Sequence, residues 1–412
     1  MRILWITNIM LPPVCEALEL PVPSIGGWMY SSLKRLKKAG IGVIAVATVY
    51  SGKKLIEIQI DDVTYYLLPL NGKSAIKYNK HLEPLWFSIK ESFKPDIVHI
   101  HGSEYPHGLA YVRSCGTGGV VVSIQGILSS YARYYSAGIN YKNIKRYLTF
   151  RDFVKFDNIL KGQRTFERRG ILEKELLQSV KHIIGRTDWD HAHTWAINPQ
   201  ALYHFCGETL RDSFYNHRWE YDKCEVHTIF VSQSNYPIKG LHMLLEAMPL
   251  ILRHYPDTQI YVAGGDPTNL PWWRITGYGK YLRRLIDKYN LRNNITFTGM
   301  LSEEPMCQRY LKSNLFLCCS SIENSPNSLG EAQLLGMPCV ASFSGGIPEI
   351  VDYNTNVLYR FEETEMLANK VCEVFAKGYN SQESFNVDRY DPKLNLVTLL
   401  NIYESIYQKN NC

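Results

Sequence analysis

Short apolar runs alternate with helical patterns along the whole chain. In the first half the runs are Ile3–Thr7, Val43–Thr48, Thr64–Leu68, Ile97–His101, Val120–Ile124 and His182–Gly185. In the second half they are Thr228–Val231, Gln259–Ala263, Ile295–Thr298, Leu315–Cys319 and Cys339–Ser342. Most are separated by ten or more residues with helical spacing. Continuous apolar runs of this length suit parallel strands buried on both faces, and the alternation predicts doubly wound α/β sheets. Two sheets of five or more strands exceed one domain, so two Rossmann-like domains facing across a cleft are expected. The pattern breaks at 211–226, RDSFYNHRWEYDKCEV, which is polar and aromatic without a period. A linker is placed there, between a first domain at 1–210 and a second at 227–390.

The stretch SSIENSPNSLGEAQLLGMPCVAS, with GGIPEIV at 345–351, carries the most chemistry. The polar residues 320–326 follow the run Leu315–Cys319 and form a loop at the C-terminal end of a strand, where open α/β sheets bind ligands. Ser325 reads as a helix N-cap and Pro326 as the first helical residue. Gly336 and Pro338 end the helix. Its N-terminal amides then offer an anion site. Glu323 in the loop and Glu331 on the helix suit sugar hydroxyls on either side of a diphosphate. The plainer alternative, two solvated glutamates, is disfavoured by the flanking strands and by the glycines that follow.

This segment resembles the E-x(7)-E signature of the retaining glycosyltransferases of family 4, which have the GT-B fold. The resemblance is strongest over 228–351, moderate over 1–50 and 95–126, and thin over 130–225. It implies that Glu323 meets donor-sugar hydroxyls and Glu331 the ribose. The backbone from Ser325 through Asn327, Ser328 and Leu329 would hold the sugar and diphosphate, helped by amides near Gly345 and Gly346. In that architecture the last helix, here 391–412, crosses back onto the first domain. The loop departs from the family's usual aromatic and glycine residues, with Asn324-Ser325-Pro326-Asn327-Ser328 in their place.

Other positions fall into the same frame. Lys239-Gly240 opens a helix after Thr228–Val231. The helix dipole disfavours a cation there, so a role in neutralising a departing diphosphate is the better reading. The family usually pairs this lysine with an arginine about five residues earlier. Gln233 and Ser234 stand there instead, offering Ser234 as a neutral contact. Gly26-Gly27, between a proline-rich loop and a helical run, would let backbone approach a phosphate. Leu301, in Gly299-Met300-Leu301, would meet the nucleotide base. On the acceptor side the expected residues are Trp28, His101 and Gln125. His99 and His101 are expected on opposite faces of their strand, with His101, nearer its end, in the cleft. Gln125 replaces a common histidine and cannot act as a base, which fits a front-face mechanism where the donor's phosphate takes the acceptor proton. Arg186 and Asp188 either reach the cleft or pair with each other.

Composition narrows the classes. The 412 residues are 45% hydrophobic and 20% charged, an ordinary globular balance. No apolar run approaches the roughly 18 residues of a membrane span. The start, MRILWITNIMLPP, reads as a buried strand rather than a signal peptide. Ten cysteines include one vicinal pair, Cys318–Cys319, within an expected core strand, which fits a reducing cytoplasm. Net charge is +6, yet residues 133–186 hold thirteen Lys or Arg against five Asp or Glu, a net +8. That excess reads as a solvated helical face, or as attraction to anionic lipid or a pyrophosphate-bearing acceptor. No recognition motif accompanies it, so nucleic acid is not expected as a partner. No metal-binding spacing such as Asp-x-Asp or His-Glu-x-x-His occurs.

The expected protein is therefore a cytoplasmic, metal-independent glycosyltransferase, peripheral to the inner membrane face. It would move sugar from a nucleotide-sugar co-substrate, UDP ahead of GDP, to a glycan or lipid-linked acceptor of surface polysaccharide assembly. No other cofactor is expected. The rivals are an epimerase or phosphorylase on the same fold, and a non-catalytic sugar-nucleotide-binding protein.

Overall fold

The computed structural model describes residues 1–23, 26–351, 356–378 and 388–411. The chain divides into two compact units. Unit 1 comprises Met1–Ser130, Phe166–Leu210 and the C-terminal segment from Asp388; unit 2 comprises Tyr131–Thr165 and Arg211–Val387.

Unit 1 is built on eight strands: β1 (Arg2–Thr7), β2 (Val43–Tyr50), β3 (Ile56–Ile60), β4 (Val63–Pro69), β5 (Ile97–His101), β6 (Val120–Ser123), β7 (His182–Gly185) and β8 (Leu202–Phe205). Their order is β3-β4-β2-β1-β5-β6-β7-β8, parallel except for the β3–β4 hairpin. Unit 2 holds β9 (Glu225–Val231), β10 (Gln259–Val262), β11 (Ile295–Phe297), β12 (Ser313–Cys318), β13 (Cys339–Ser342) and β14 (Asn356–Tyr359), all parallel, in the order β11-β10-β9-β12-β13-β14. The strand order reverses between β1 and β5 in one sheet and between β9 and β12 in the other. Such switch points open a crevice at the C-terminal strand ends.

Burial explains the continuous apolar runs. Ile3 and Trp5 of β1 enter one core, while Leu4 and Ile6 enter another on the opposite face. The helix Pro392–Asn411 covers the first of these faces through Ile402, Tyr403 and Ile406. The Tyr403 hydroxyl accepts from Trp5 Nε1 at 3.0 Å and lies 2.6 Å from His99 Nδ1. Cys412, at the end of the expected last helix, lies outside the described residues.

Three strands carried no signal that the apolar-run rule recognises. β3 alternates Ile with polar residues and turns back through Asp61 and Asp62, both at positive φ, as a tight hairpin demands. β8 and β14 are four residues each at sheet edges.

Two domain boundaries are corrected. The segment Tyr131–Thr165 belongs to unit 2, because Ala137, Ile139, Ile144 and Ile159 share one core with the helix Leu241–His254. Residues 211–226 are not a free linker. Phe214 and Trp219 are buried, and Trp219 donates from Nε1 to the Ser313 carbonyl at 2.8 Å. Aromatics that bury one at a time leave no period to read. Among the described residues no helix is long and apolar enough to cross a membrane, and the nine described cysteines are free thiols.

Unit 1 also contains an unexpected buried carboxyl. Glu173 is buried, accepting from Ser103 Oγ at 3.0 Å and from the Ser129 amide at 3.2 Å. Burial pushes it from 4.5 up to about 7. Between those values the folded chain holds a proton that the unfolded chain has released, so stability falls as pH rises through that window. Glu173 should account for up to about 3 kcal/mol of that fall. Urea unfolding midpoints of wild type and Glu173→Gln across pH 4.5–7 test this: the variant should show the flatter profile, and identical slopes would refute the assignment.

Candidate functional site

Unit 2 gathers most of the expected donor residues at its switch point. Lys239 follows β9 and Glu323 follows β12. The Lys239 Nζ donates to Glu323 Oε1 at 2.6 Å, and Ser320 Oγ donates to the same oxygen at 2.7 Å. Both side chains are largely buried. Burial alone would discharge the ammonium, but the Glu323 carboxylate outweighs it and raises the lysine well above its ordinary value.

The backbone around this pair leaves no freedom. Gly240 has φ +72°, and a Cβ there would lie 1.6 Å from the Cys319 carbonyl oxygen. Gly345 has φ +55°, and its Cβ would lie 1.9 Å from the Glu323 carbonyl oxygen. The Gly346 amide donates to that carbonyl at 3.0 Å. This corrects one expectation: the Gly346 amide holds the loop that carries Glu323 and is not turned to a diphosphate.

The helix after the loop is Asn327–Leu335. Pro326 is its N-cap, so the start lies one residue later than expected, and Ser325 does not cap it. No side chain caps this helix. The Leu329 and Gly330 amides donate to the Pro326 carbonyl at 3.0 and 3.2 Å, whereas those of Asn327 and Ser328 have no acceptor within the helix and stay available to an anion. Ser325, Asn327 and Ser328 are half-buried here, whereas Leu329 is buried.

Glu331 lies one turn further along, buried, and receives a two-pronged contact from Arg211: Nε to Oε1 and Nη2 to Oε2, each 2.6 Å. Burial pushes the carboxyl up and Arg211 opposes that push. Glu331 raises the guanidinium in turn, against the effect of its burial. The pairing leaves two of the carboxylate's roughly four acceptor positions. Arg211 was missed in the sequence, since it sits 120 residues away in an aperiodic stretch.

Other donor-side expectations fare unevenly. Ser234 is completely buried and its hydroxyl has no hydrogen-bond partner, so it presents no surface contact. Gly299 exchanges backbone hydrogen bonds with Gly264, which leaves Met300 exposed and Leu301 half-buried just beyond β11. Gly26 and Gly27 lie in unit 1. Gly26 has φ +79° and Gly27 begins the helix Gly27–Lys38.

Unit 1 has its own pocket, of about 630 Å³ counting its open mouth, at the strand ends of β5, β6 and β7. Trp28, His101 and Gln125 all line it, with Trp5, His99, Arg186 and Glu208. His99 and His101 share a face, contrary to expectation. Residues two apart on a strand point the same way, and the rings stack with centroids 3.8 Å apart. His99 is held between Tyr403 and Ser123 Oγ, each at 2.6 Å. His101 is buried, its Nε2 has no hydrogen-bond partner, and burial pushes it down to about 3, so the ring is neutral. Arg186 reaches the pocket and pairs with Glu208 at 2.5 Å. Gln125 is locked in the same group, donating to Glu208 at 2.7 Å and accepting from Arg186 at 3.2 Å. Just after β5, burial pushes Glu104 up to about 7. Neither Glu104 nor Glu208 stood out in the sequence. Among the described residues no group of three or more His, Cys, Asp or Glu is placed to hold a metal ion.

Comparison with known proteins fits this arrangement. Residues 225–377 match the family of glycosyl transferases group 1. Spore coat protein SA of Bacillus subtilis is 24% identical over 40% of this chain and 46% of its own length, so the match spans less than half of that relative. One component of the human phosphatidylinositol N-acetylglucosaminyltransferase is 21% identical over 89% of this chain and 68% of its own length. Among solved structures, Anabaena HepE in complex with UDP and glucose superposes with a TM-score of 0.64 at 15% identity, covering 98% of this chain and all of that one. The two parallel-sheet units are those of the GT-B fold, and the matches support a glycosyltransferase.

The Glu331–Arg211 pair has a testable cost. Glu331→Ala leaves a buried guanidinium without its partner and should destabilise unit 2 by about 3–5 kcal/mol. Replacing both partners with apolar residues, Glu331→Leu with Arg211→Met, should cost less than the single change. Urea unfolding measures both; a single variant within about 1 kcal/mol of wild type would contradict the pairing.

Proposed function

We propose that this protein transfers a glycosyl unit from a nucleotide-sugar donor to a hydroxyl of a glycan or lipid-linked acceptor, with retention at the anomeric carbon. The observation that carries the reading is the buried Lys239–Glu323 pair beside an uncapped helix N-terminus at the switch point of unit 2. A cation and free amides suit a diphosphate, and the carboxylate suits the sugar hydroxyls. Glu331, with two acceptor positions open, suits the ribose, and Leu301 the base. UDP is the proposed nucleotide, in keeping with the UDP and glucose bound by the Anabaena neighbour.

In the reaction, the bond from the anomeric carbon to the diphosphate oxygen breaks as the acceptor oxygen bonds to the same face. The acceptor proton passes to the departing diphosphate. Lys239 and the amides of Asn327 and Ser328 stabilise the charge that grows there. The neutral His101 and the fixed Gln125 suit acceptor recognition rather than proton removal, with Trp28 as a stacking surface. The name of the human relative specifies a phosphatidylinositol substrate, which favours a lipid-linked acceptor. The proposed setting is surface polysaccharide assembly, by a cytoplasmic protein peripheral to the inner membrane face.

Turnover of UDP- and GDP-sugars with lipid-linked glycan acceptors, with product configuration read by proton NMR, tests the reading. The product should keep the donor's configuration. Glu323→Ala and Lys239→Ala should each lower kcat about 10²–10³-fold. An inverted product, or undiminished turnover in both variants, would overturn it.

A further inference from the structure

Unit 2 displays an aromatic and basic surface that the sugar-transfer chemistry does not use. It is built from the helices Tyr141–Arg146 and Phe150–Lys155 and from residues 271–274. The segments are tied together by buried polar contacts. Thr149 and Asp152 form a capping box, Thr149 Oγ1 donates to the Ile275 carbonyl at 2.8 Å, and the Gly277 amide donates to Asp152 Oδ1 at 3.2 Å. The polar residues therefore face inward. The large apolar residues face out: Phe153 is 66% exposed, Phe156 72% and Trp272 65%, with Phe150 and Trp273 also exposed. The rings of Phe150 and Trp272 lie 5.3 Å apart, so these residues form one patch rather than scattered singles.

The charge around the rings has one sign. Lys142, Lys145, Arg146, Lys155 and Arg274 are exposed. The acids in and beside these segments are Asp152, buried in the capping box, and Asp157, paired with Arg151 at 2.6 Å. Exposed aromatic rings set among Lys and Arg match the boundary of an anionic bilayer, where rings enter the headgroup layer and cations meet lipid phosphates.

We propose that this patch docks unit 2 onto an anionic lipid surface, with Phe153, Phe156 and Trp272 as shallow anchors. Two short helices and one loop insert only to the interface. The hydrophobic and electrostatic parts act together, since either alone binds membranes weakly. This surface is more specific than the basic segment 133–186 as a whole, because it includes the Trp272–Trp273 loop and excludes the bases that belong to unit 1. It does not rest on the sugar-transfer reading, since vesicle binding needs no donor.

Cosedimentation of the full chain with vesicles tests it. The protein should sediment with phosphatidylcholine vesicles containing phosphatidylglycerol, and not with phosphatidylcholine alone. Raised salt should release it. Lys142→Glu and Lys155→Glu should each weaken binding about fivefold or more. The double variant Phe153→Glu/Phe156→Glu should lose binding at least tenfold while its circular-dichroism melting curve matches wild type. No sedimentation with the anionic vesicles, equal sedimentation with both kinds, or insensitivity of binding to the Phe variants would overturn the proposal. So would finding that the same variants abolish self-association or binding to a single-stranded RNA while leaving vesicle binding intact.

Discussion

A buried ammonium is tolerable only beside a buried anion, and the Lys239–Glu323 pair sets the shape of everything around it. Separating the two charges inside unit 2 would leave one unpaired in a poor solvent for ions. The loop after β12 must therefore bring Glu323 to within 2.6 Å of a lysine that follows β9. That demand explains the glycines. Gly240 passes so close to the Cys319 carbonyl, and Gly345 to the Glu323 carbonyl, that neither site admits a side chain. It also explains Gly346, whose amide fastens the loop from the far side. The same loop then delivers the chain to the start of Asn327–Leu335 with no capping side chain in the way.

Unit 1 handles polarity differently. Its pocket wall is a stack of two neutral imidazoles beside Arg186, Glu208 and Gln125, and these last three are bonded to one another. Such a surface is preorganised, with little left to rearrange when a ligand enters. The Lys239–Glu323 region of unit 2 is charged and tightly braced, whereas the pocket of unit 1 is walled by aromatic rings around one internally paired ion pair. The aromatic and basic patch of unit 2 adds a third environment, the one proposed to meet lipid.

Much of the fold was legible because parallel strands are buried on both faces, and such strands announce themselves as apolar runs. The hairpin partner β3 escaped because its pattern alternates, and the edge strands β8 and β14 because they are short. The segment Tyr131–Thr165 was assigned to the wrong unit, since a basic, irregular stretch gives no hint of which core its four buried aliphatics join. Within the candidate site, Glu323 and Lys239 were legible because each follows a strand and flanks a helix start. Arg211 was not, because nothing local marks an arginine that will meet Glu331 from 120 residues away. The facing of His99 and His101 was misjudged by one step of the strand period, and their stacking restores the rule. Ser234 was expected at the site by its sequence position alone, and the turn after β9 buries it.

The proposed function requires a nucleoside diphosphate to bind unit 2 through the cation of Lys239. Isothermal titration of UDP into wild type and into Lys239→Met measures it directly. Binding to wild type should be saturable and one-to-one, and the variant, still folded, should lose affinity tenfold or more. Equal affinity in both proteins, or no binding of UDP or GDP to wild type, would contradict it.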